Sequence, residues 1–429
     1  MAVSTQKTLR NQVMYQVFVR NFSDEGTFAA VQSRLDEIKA LGTDIIWFMP
    51  IHPIGRQARK GTLGSPYAIS DYREVNPEFG SMSDFKSLVG AIHGKGMKCI
   101  IDVVYNHTSP DSVLSQKHPE WFYHRPDGSF GNRVGDWTDI IDLDYSNREL
   151  WDYQIETLKF WAGIVDGFRC DVAPLIPLEF WLKARGEVET VREGCIWLSE
   201  SVEPGFITYM RGRGMTALSD SEIFQAFDMA YDYDVYGAMK AYLDGSGSLE
   251  AYADALNRQE YTFPDNYVKL RFLENHDQPR ARFLIPDENR LRAWTAFLFF
   301  QKGMTLIYNG QEKAVAHALS LFDRDTVRWN AAESIDLTRY IARLSGIKRD
   351  PVFADCSYTV TAPSEDTLVA LREHDGRKML GVFPLRGEGG LVRVEFEDGV
   401  YENLISGEAV EVFRGMLSSN GLPVILRNF

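Results

Sequence analysis

From residue 13 to about residue 310 the chain repeats one pattern, in which a short apolar run rich in β-forming residues is followed by an amphipathic segment. This alternation is typical of βα units, whose parallel strands are joined by helices. Two of the joining segments, 28–41 and 82–94, show helical spacing of their apolar residues. The predicted strands are 13–18, 44–49, 99–104, 167–169, 195–198, 227–231, 268–273 and 305–308. Eight such strands predict an α/β fold that closes into a (β/α)8 TIM barrel.

Two parts of the chain depart from this alternation. Residues 106–155, after the third predicted strand, contain three prolines and many aromatic residues, which predicts a small irregular insertion. After residue 350, short β-type runs and turn signals such as Asp375-Gly376 predict a C-terminal antiparallel β-sandwich domain. Its predicted strands are 357–362, 367–373, 378–384, 391–396, 408–413 and 423–427. The predicted domains are therefore a catalytic barrel (1–105 and 156–349), an insertion (106–155) and a C-terminal β-domain (350–429).

Composition excludes several classes of partner. The formal charge is −14 and the basic residues are scattered, so no surface for binding nucleic acid is indicated. The strongest apolar run, 293–300, is far shorter than the ~20 residues of a membrane span, and residues 1–10 lack the apolar stretch of a signal peptide. We expect a soluble cytoplasmic protein with no membrane partner; the sequence leaves the oligomeric state open.

The four cysteines form no CxxC pair and no metal-binding spacing. Cys99, Cys170 and Cys195 lie in or beside predicted strands. Because side chains alternate between the two faces of a strand, these cysteines are expected on the face opposite to the acidic residues of the same strands. They are predicted to pack as buried thiols between the barrel and its helices, which suits a reducing compartment.

Four short polar motifs each follow a predicted strand. They are Asp102-Val-Val-Tyr-Asn106-His107, Gly167-Phe-Arg169-Cys-Asp171, Leu198-Ser-Glu200 and Glu274-Asn275-His276-Asp277. Because the carboxyl ends of barrel strands meet at one rim, these carboxylates, imidazoles and one guanidinium are predicted to form a single active site there.

The chemistry of the acidic residues suits glycosidic bond cleavage. Arg169 and Asp171 share one strand face, so the guanidinium is expected to hold Asp171 ionised as a nucleophile; a structural ion pair is the alternative. Glu200 follows an apolar run that could keep it protonated as a general acid, although a solvated rim position is also possible. A nucleophile paired with a general acid defines a retaining glycosidase, in which Asp277 would bind sugar hydroxyls and stabilise the cationic transition state.

His107 and His276 belong to no HxH or HExxH spacing, which argues against a metal-dependent hydrolase. Hydrogen bonding to a polar substrate is the functional interpretation, and burial as core histidines is the alternative. Aromatic residues near the predicted rim suit stacking on the apolar faces of sugar rings, while most are expected to be core or insertion packing. They are Tyr67, Tyr105, Trp121, Phe122, Trp137 and Tyr145.

In order and position, the four motifs resemble the conserved regions of the α-amylase family, glycoside hydrolase family 13, over essentially the whole chain. Further similarity lies at 41–50, 65–72, 141–144 and 303–312. The resemblance implies a barrel with an insertion after the third strand and a C-terminal β-domain. It implies Asp171 as nucleophile, Glu200 as acid/base and Asp277 as transition-state stabiliser. The implied substrate-binding residues are Tyr67, as the stacking platform, with Asp102, His107, Arg169 and His276.

The resemblance also bears on calcium. Asn106 and Asp142 align with calcium-ligand positions of calcium-dependent members. The Lys-His pair that many of those enzymes carry after the nucleophile is replaced here by Val-Ala-Pro174-Leu175, and the loop 21–26 lacks a repeated Asp/Asn pattern. We therefore expect no required cofactor, and only a structural role for any calcium at Asn106 and Asp142.

The resemblance implies a retaining hydrolase of α-glucosidic bonds, with α-1,4 bonds of malto-oligosaccharides or related α-glucans as the expected target. The alternative is a related transglycosylase, isomerase or phosphorylase acting on short α-glucosides such as sucrose or trehalose. A non-catalytic barrel, as in relatives that scaffold membrane transporters, is disfavoured because all three carboxylates are present.

Overall fold

A computed structural model describes residues 4–329 and 335–429 of the chain. The strands up to residue 308 are β1 (Val13–Val17), β2 (Ile45–Phe48), β3 (Lys98–Val103), β4 (His107–Thr108), β5 (Ile141–Asp142), β6 (Gly167–Cys170), β7 (Ile196–Ser199), β8 (Met229–Tyr231), β9 (Val268–Arg271) and β10 (Met304–Tyr308). All of these except β4 and β5 form a closed parallel barrel in the order β1-β10-β9-β8-β7-β6-β3-β2. The predicted (β/α)8 barrel and its eight strands are confirmed.

The helices are α1 (Val19–Phe22), α2 (Phe28–Ser33), α3 (Leu35–Ala40), α4 (Met82–Gly94), α5 (Val113–Lys117), α6 (Arg148–Ala162), α7 (Leu178–Glu189), α8 (Pro204–Gly212), α9 (Asp220–Ile223), α10 (Tyr233–Asp244), α11 (Leu249–Thr262), α12 (Ala281–Leu284), α13 (Glu288–Phe300) and α14 (Thr338–Lys348). The predicted helix 82–94 is confirmed, and a capping box of Ser81 and Asp84 defines its start. Segment 28–41 forms two helices instead of one, because the backbone of Arg34 (φ −109°, ψ 12°) leaves the helical range.

The segment after β3 is built from short elements. β4 and β5 pair antiparallel, with His107 opposite Asp142, and α5 lies between them. Helix α6 begins at Arg148, inside the range 106–155 predicted for the insertion, so the irregular part runs from about 106 to 147. Because this segment follows the carboxyl end of β3, it stands beside the rim that bears the predicted site.

The C-terminal part forms two four-stranded antiparallel sheets, β11-β12-β13-β18 and β14-β17-β16-β15. Its strands are β11 (Ser357–Thr361), β12 (Thr367–His374), β13 (Arg377–Pro384), β14 (Gly390–Arg393), β15 (Gly399–Glu402), β16 (Ala409–Phe413), β17 (Met416–Ser419) and β18 (Val424–Arg427). Apolar side chains from both sheets meet in one buried cluster, including Val382, Val392 and Leu417. The antiparallel β-domain is confirmed, while the short strands β15 and β17 were not predicted.

Two further expectations can be compared with the described residues. The predicted burial of Cys99, Cys170 and Cys195 as free thiols is confirmed, and Cys356 is also buried and free. Within residues 4–329 and 335–429, none of the helices combines the length and apolar character needed to cross a membrane.

Candidate active site

A cavity of about 330 Å³ opens at the carboxyl rim of the barrel. Six of the predicted site residues line it, and each reaches it from the carboxyl end of a strand or from the loop that follows. They are Tyr67, His107, Asp171, Glu200, His276 and Asp277. Since their positions along the chain span more than two hundred residues, only closure of the barrel brings them together.

Arg169 organises the floor of this cavity. Its Nη1 lies 2.8 Å from Asp102 Oδ1 and 2.9 Å from Asp171 Oδ1, and its Nη2 lies 2.9 Å from Glu200 Oε2. Both Arg169 and Asp102 are fully buried and lie beneath the cavity instead of lining it. One guanidinium therefore contacts carboxyl groups from three neighbouring strands, β3, β6 and β7, and orients the two that face the cavity.

Burial dominates the protonation of the two carboxyl groups beside Arg169. It raises the pKa of Glu200 to about 8 and that of Asp171 to about 7, while the charge of Arg169 lowers both values. As expected for a neighbouring cation, Arg169 lowers the pKa of Asp171, but loss of solvent and the nearby Asp102 outweigh this effect. Because the two carboxyl groups share Arg169 in one desolvated site, they titrate as a pair.

The pKa of Asp277 is shifted in the opposite direction to the pKa values of those two groups. Burial alone would raise its pKa, but the charge and hydrogen bond of His276, together with Arg169, outweigh burial and lower the pKa of Asp277. His276 Nε2 lies 3.0 Å from Asp277 Oδ2. The cavity thus presents a carboxylate at Asp277 opposite a protonated carboxyl group at Glu200.

Tyr67 and His276 form one side of the cavity. The Tyr67 hydroxyl lies 2.6 Å from His276 Nε2 and donates to Asp102 Oδ2 at 3.1 Å. The two rings stack with centroids 5.4 Å apart, and the Gln16 amide nitrogen lies 2.7 Å from His276 Nδ1. These contacts hold both rings in one orientation, as a rigid surface for a sugar ring requires.

His107 lies on the opposite side of Asp171, with its Nε2 4.0 Å from Asp171 Oδ2. Burial lowers the pKa of His107 to about 4, so the imidazole is neutral near pH 7. Its ring centroid is 5.7 Å from that of Trp137, which also lines the cavity. Of the other aromatic residues predicted near the rim, Tyr105, Trp121 and Phe122 are buried as packing and Tyr145 lines a separate cavity.

Val172 is a site residue that sequence reasoning missed. It has left-handed backbone angles (φ 36°, ψ 41°), which are unfavourable for a β-branched side chain. This conformation points its N–H at Glu200 Oε2, to which it donates at 2.7 Å. The residue after Asp171 therefore fixes Glu200 relative to Asp171, and no sequence pattern signals it.

Tyr233 was also missed, although a signal for it exists. It lines the cavity and follows β8, two residues after Tyr231, whose hydroxyl accepts a hydrogen bond from Arg169 Nε at 3.3 Å. Residues two apart in a strand point to the same face, so Tyr233 is expected on the face of Tyr231. This alternation could have identified Tyr233 as a site residue.

The two calcium candidates lie beside a different cavity, of about 390 Å³. The Asn106 amide nitrogen is 3.2 Å from His107 Nδ1, and Asp142 Oδ2 accepts from the Arg133 N–H at 2.7 Å. The Arg133 guanidinium lies 3.7 Å from Asp142 and 3.9 Å from Asp144. Calcium takes about six to eight oxygen ligands. The side chain of Asp142 lies beside the fixed positive charge of Arg133, while its Oδ1 is buried without a hydrogen-bond partner in the described part of the chain. Among the residues that the structure describes, no group of three or more His, Cys, Asp or Glu could hold a metal.

We therefore expect activity to survive calcium removal. Dialysis against EDTA should leave kcat and the thermal midpoint unchanged, because Arg133 supplies the positive charge that Asp142 and Asp144 face. Turnover and unfolding temperature would be measured before dialysis, after it, and after separate addition of calcium and magnesium. Abolished turnover that calcium alone restores would contradict this prediction.

A closed (β/α)8 barrel with paired carboxyl groups on its carboxyl rim has the architecture of a barrel glycosidase. Residues 7–356 match the family profile described as "Alpha amylase, catalytic domain", and residues 359–426 match "Bacterial Alpha amylase C-terminal domain". The chain belongs to the α-amylase family, as the sequence motifs indicated.

Solved structures with this architecture include an α-amylase from Lactobacillus plantarum, 49% identical, with a TM-score of 0.96 and coverage of 99% of this chain and 100% of that one. A noncanonic maltogenic α-amylase from Thermotoga neapolitana is 34% identical, with a TM-score of 0.87 and coverage of 98% and 99%. Among curated relatives, the α-amylase MalA of Haloarcula japonica is 28% identical over 354 residues, which is 79% of this chain and 49% of that protein. This chain spans about half or less of the length of the first curated relatives it matches.

Proposed function

We propose that this protein is a retaining glycoside hydrolase that cleaves α-1,4 bonds in malto-oligosaccharides or related α-glucans. The observation that carries the proposal is the position of the Arg169 guanidinium. Its two terminal nitrogens, Nη1 and Nη2, contact one oxygen of Asp171 and one oxygen of Glu200. This arrangement favours the short separation of carboxyl groups in retaining enzymes, about 5–5.5 Å, over the wider gap that admits a water in inverting ones.

In the first step of the proposed reaction, an oxygen of Asp171 attacks the anomeric carbon while Glu200 transfers its proton to the departing glycosidic oxygen. The bond to the leaving group breaks and a covalent glycosyl ester forms on Asp171. In the second step, Glu200, now a carboxylate, takes a proton from water, whose oxygen attacks the same carbon and releases Asp171. Asp277 and His107 face the ring hydroxyls, and Asp277 stabilises the developing positive charge.

Other features support the proposed substrate class and location. Both solved structures named above are α-amylases, one of them maltogenic. The cavity volume of about 330 Å³ lies at the lower end of the roughly 300–1,000 Å³ typical of ligand pockets, which suits short oligosaccharides. The four buried unpaired cysteines are compatible with a reducing compartment, so the cytoplasm is the proposed location.

Transfer to an acceptor other than water is the second candidate, and a specific similarity favours it. An α-1,4-glucan:maltose-1-phosphate maltosyltransferase of Rhodospirillum rubrum is 31% identical over 271 residues, covering 58% of this chain and 36% of that protein. Such an enzyme would form the same glycosyl ester and pass the sugar to a second sugar or to phosphate.

One experiment, an analysis of the products formed from a set of sugars, distinguishes hydrolysis from transfer to another acceptor. The protein would be incubated with maltoheptaose, starch, pullulan, isomaltose, sucrose and trehalose, each with and without phosphate, and the products separated by chromatography. Hydrolysis of maltoheptaose without phosphate supports the proposal. Products longer than the substrate, sugar phosphates, or exclusive cleavage of isomaltose, sucrose or trehalose would contradict it.

The size of the cavity also predicts the dependence of rate on chain length. We expect kcat/KM to reach a plateau within a few glucose units as maltose is lengthened, because binding energy comes from rings next to the scissile bond. Initial rates on maltose through maltoheptaose would show this plateau. A continued rise to maltoheptaose, or efficient digestion of raw starch, would overturn the expectation.

A further inference from the structure

One side of the cavity is closed by two loops that are bound to each other. We call residues 60–65, which follow β2, and residues 320–323, which follow β10, the rim wall. Phe322 carbonyl oxygen accepts from the N–H groups of Leu63 at 2.9 Å and Gly64 at 3.2 Å. Asp323 Oδ1 accepts from the N–H of Thr62 at 2.9 Å and from its hydroxyl at 2.7 Å. The loops touch, since a Cβ on Gly61 would lie 2.6 Å from Phe322 Cβ.

The rim wall is anchored to helix α1, which follows β1. The buried guanidinium of Arg20 donates to the carbonyl oxygens of Gly64 at 2.9 Å and Leu321 at 3.2 Å. Asn21 Nδ2 donates to Ser320 O at 2.8 Å. Both parts of the wall are thereby tied to one short segment, so neither can swing away without breaking buried hydrogen bonds.

A salt bridge extends the rim wall across the mouth of the cavity. Lys60 Nζ lies 2.8 Å from Asp139 Oδ1 in the insertion, and Asp139 is buried. Lys60, Asp139, Leu321 and Phe322 all line the cavity. The cavity therefore ends at these side chains on this side.

The strand order shows which end of a bound glucan meets the rim wall. β2, β1 and β10 are neighbours in the barrel, whereas Glu200 follows β7 and Tyr233 follows β8, across the barrel from β1. A general acid must face the leaving group, so the leaving part of the chain lies on the Glu200 side. The remaining part of the chain, which carries the non-reducing end, points at the rim wall.

We propose that the rim wall stops the non-reducing end of the glucan, so that the enzyme acts from chain ends and releases short sugars such as glucose or maltose. This inference rests on the proposed function, because it requires hydrolysis of α-1,4 bonds by Asp171 and Glu200. The chain-end specificity itself is carried by Lys60, Phe322 and the backbone contacts between the two loops.

The test uses two forms of 4-nitrophenyl maltoheptaoside, one free and one with an ethylidene group on its non-reducing glucose. Initial products would be separated by chromatography. We expect the wild-type protein to cleave the blocked form at least ~100-fold more slowly, because the extra group would clash with the rim wall. From the free form, the first products should be short sugars cut from the non-reducing end.

Variants test whether the wall causes this difference. In Lys60→Ala/Phe322→Ala, the rate on the blocked form relative to the free form should rise ~10-fold or more, since two wall side chains are removed. Lys60→Ala alone should raise the same ratio of rates by a smaller factor. Because Lys60 is partly exposed, this single variant should fold normally even if the double variant folds poorly. The matched control is Lys117→Ala/Phe413→Ala, at two exposed positions that do not line the cavity, and its ratio should equal that of the wild type.

The outcomes separate this inference from the proposed function. Equal wild-type rates on both forms, or fragments cut from the middle of the chain, would overturn the chain-end inference and leave the hydrolase proposal standing. An unchanged ratio in both wall variants would also overturn it. Failure to cleave either form would overturn the proposed function and this inference with it.

Discussion

Asp171→Asn is expected to lower kcat on maltotriose by at least ~10³-fold, because an amide cannot form the covalent glycosyl ester. The change removes the charge but keeps the shape, so Arg169 Nη1 still has an oxygen acceptor in the place that Asp171 Oδ1 occupies, 2.9 Å away. Steady-state rates on maltotriose, with the thermal midpoint as a check of folding, would measure the effect. Asp254→Asn, which changes an exposed aspartate on α11, is the matched control and should keep wild-type kcat.

Two further measurements identify the intermediate directly. A fluorinated glycosyl trapping reagent should label Asp171, and proteolysis with mass spectrometry would locate the label. An NMR time course should show that the first product keeps the α-configuration of the substrate, since two displacements at one carbon restore it. Labelling of another residue, or a first-formed β-anomer, would rule out this role for Asp171.

Glu200→Gln should reduce the rate on maltotriose by ~10²- to 10⁴-fold, the usual contribution of a general acid, and the rate on an activated aryl α-glucoside far less. The difference arises because an activated leaving group departs without protonation, whereas a sugar alcohol does not. Both substrates would be assayed with Glu200→Gln and with the control Glu250→Gln, an exposed glutamate on α11. Equal losses on the two substrates would count against proton donation by Glu200.

The pH profile supplies an independent check of Glu200. The general acid must be protonated in the first step, and burial raises the pKa of Glu200 to about 8. Activity on maltotriose should therefore rise as pH passes about 7, where Asp171 becomes a carboxylate, and fall as pH rises through about 8, where Glu200 loses its proton. With the activated aryl substrate, Glu200→Gln should lack this alkaline decline. A decline of the same midpoint in the variant would assign it to another group.

Much of this architecture could be predicted from local sequence patterns. The alternation of apolar runs with amphipathic segments predicted the barrel, because strand and helix periodicities are properties of short stretches. The motifs ending in Asp171, Glu200 and Asp277 predicted which side chains share a rim, because strand parity and the parallel topology leave few other arrangements. Strands β15 and β17 were missed because their sequences, GVYE and MLSS, lack the apolar run that marked the other strands.

The remaining features depend on residues that meet only after folding. The left-handed backbone of Val172, whose N–H donates to Glu200 after the neighbouring strand, depends on a contact made only in the folded chain, and a valine gives no warning of it. The sequence showed the lowering effect of Arg169 on the pKa of Asp171, but not the larger effect of desolvation, which depends on everything packed around the group.

By itself, then, the sequence determined the barrel, the family and the set of side chains at the rim, since those depend on local periodicity and on order along the chain. The tertiary structure alone decided the raised pKa values of Glu200 and Asp171, the guanidinium of Arg133 beside Asp142, and the contact of Phe322 with residues 61–64. Each of these depends on distances between segments far apart in the chain, and such distances exist only once the barrel has closed.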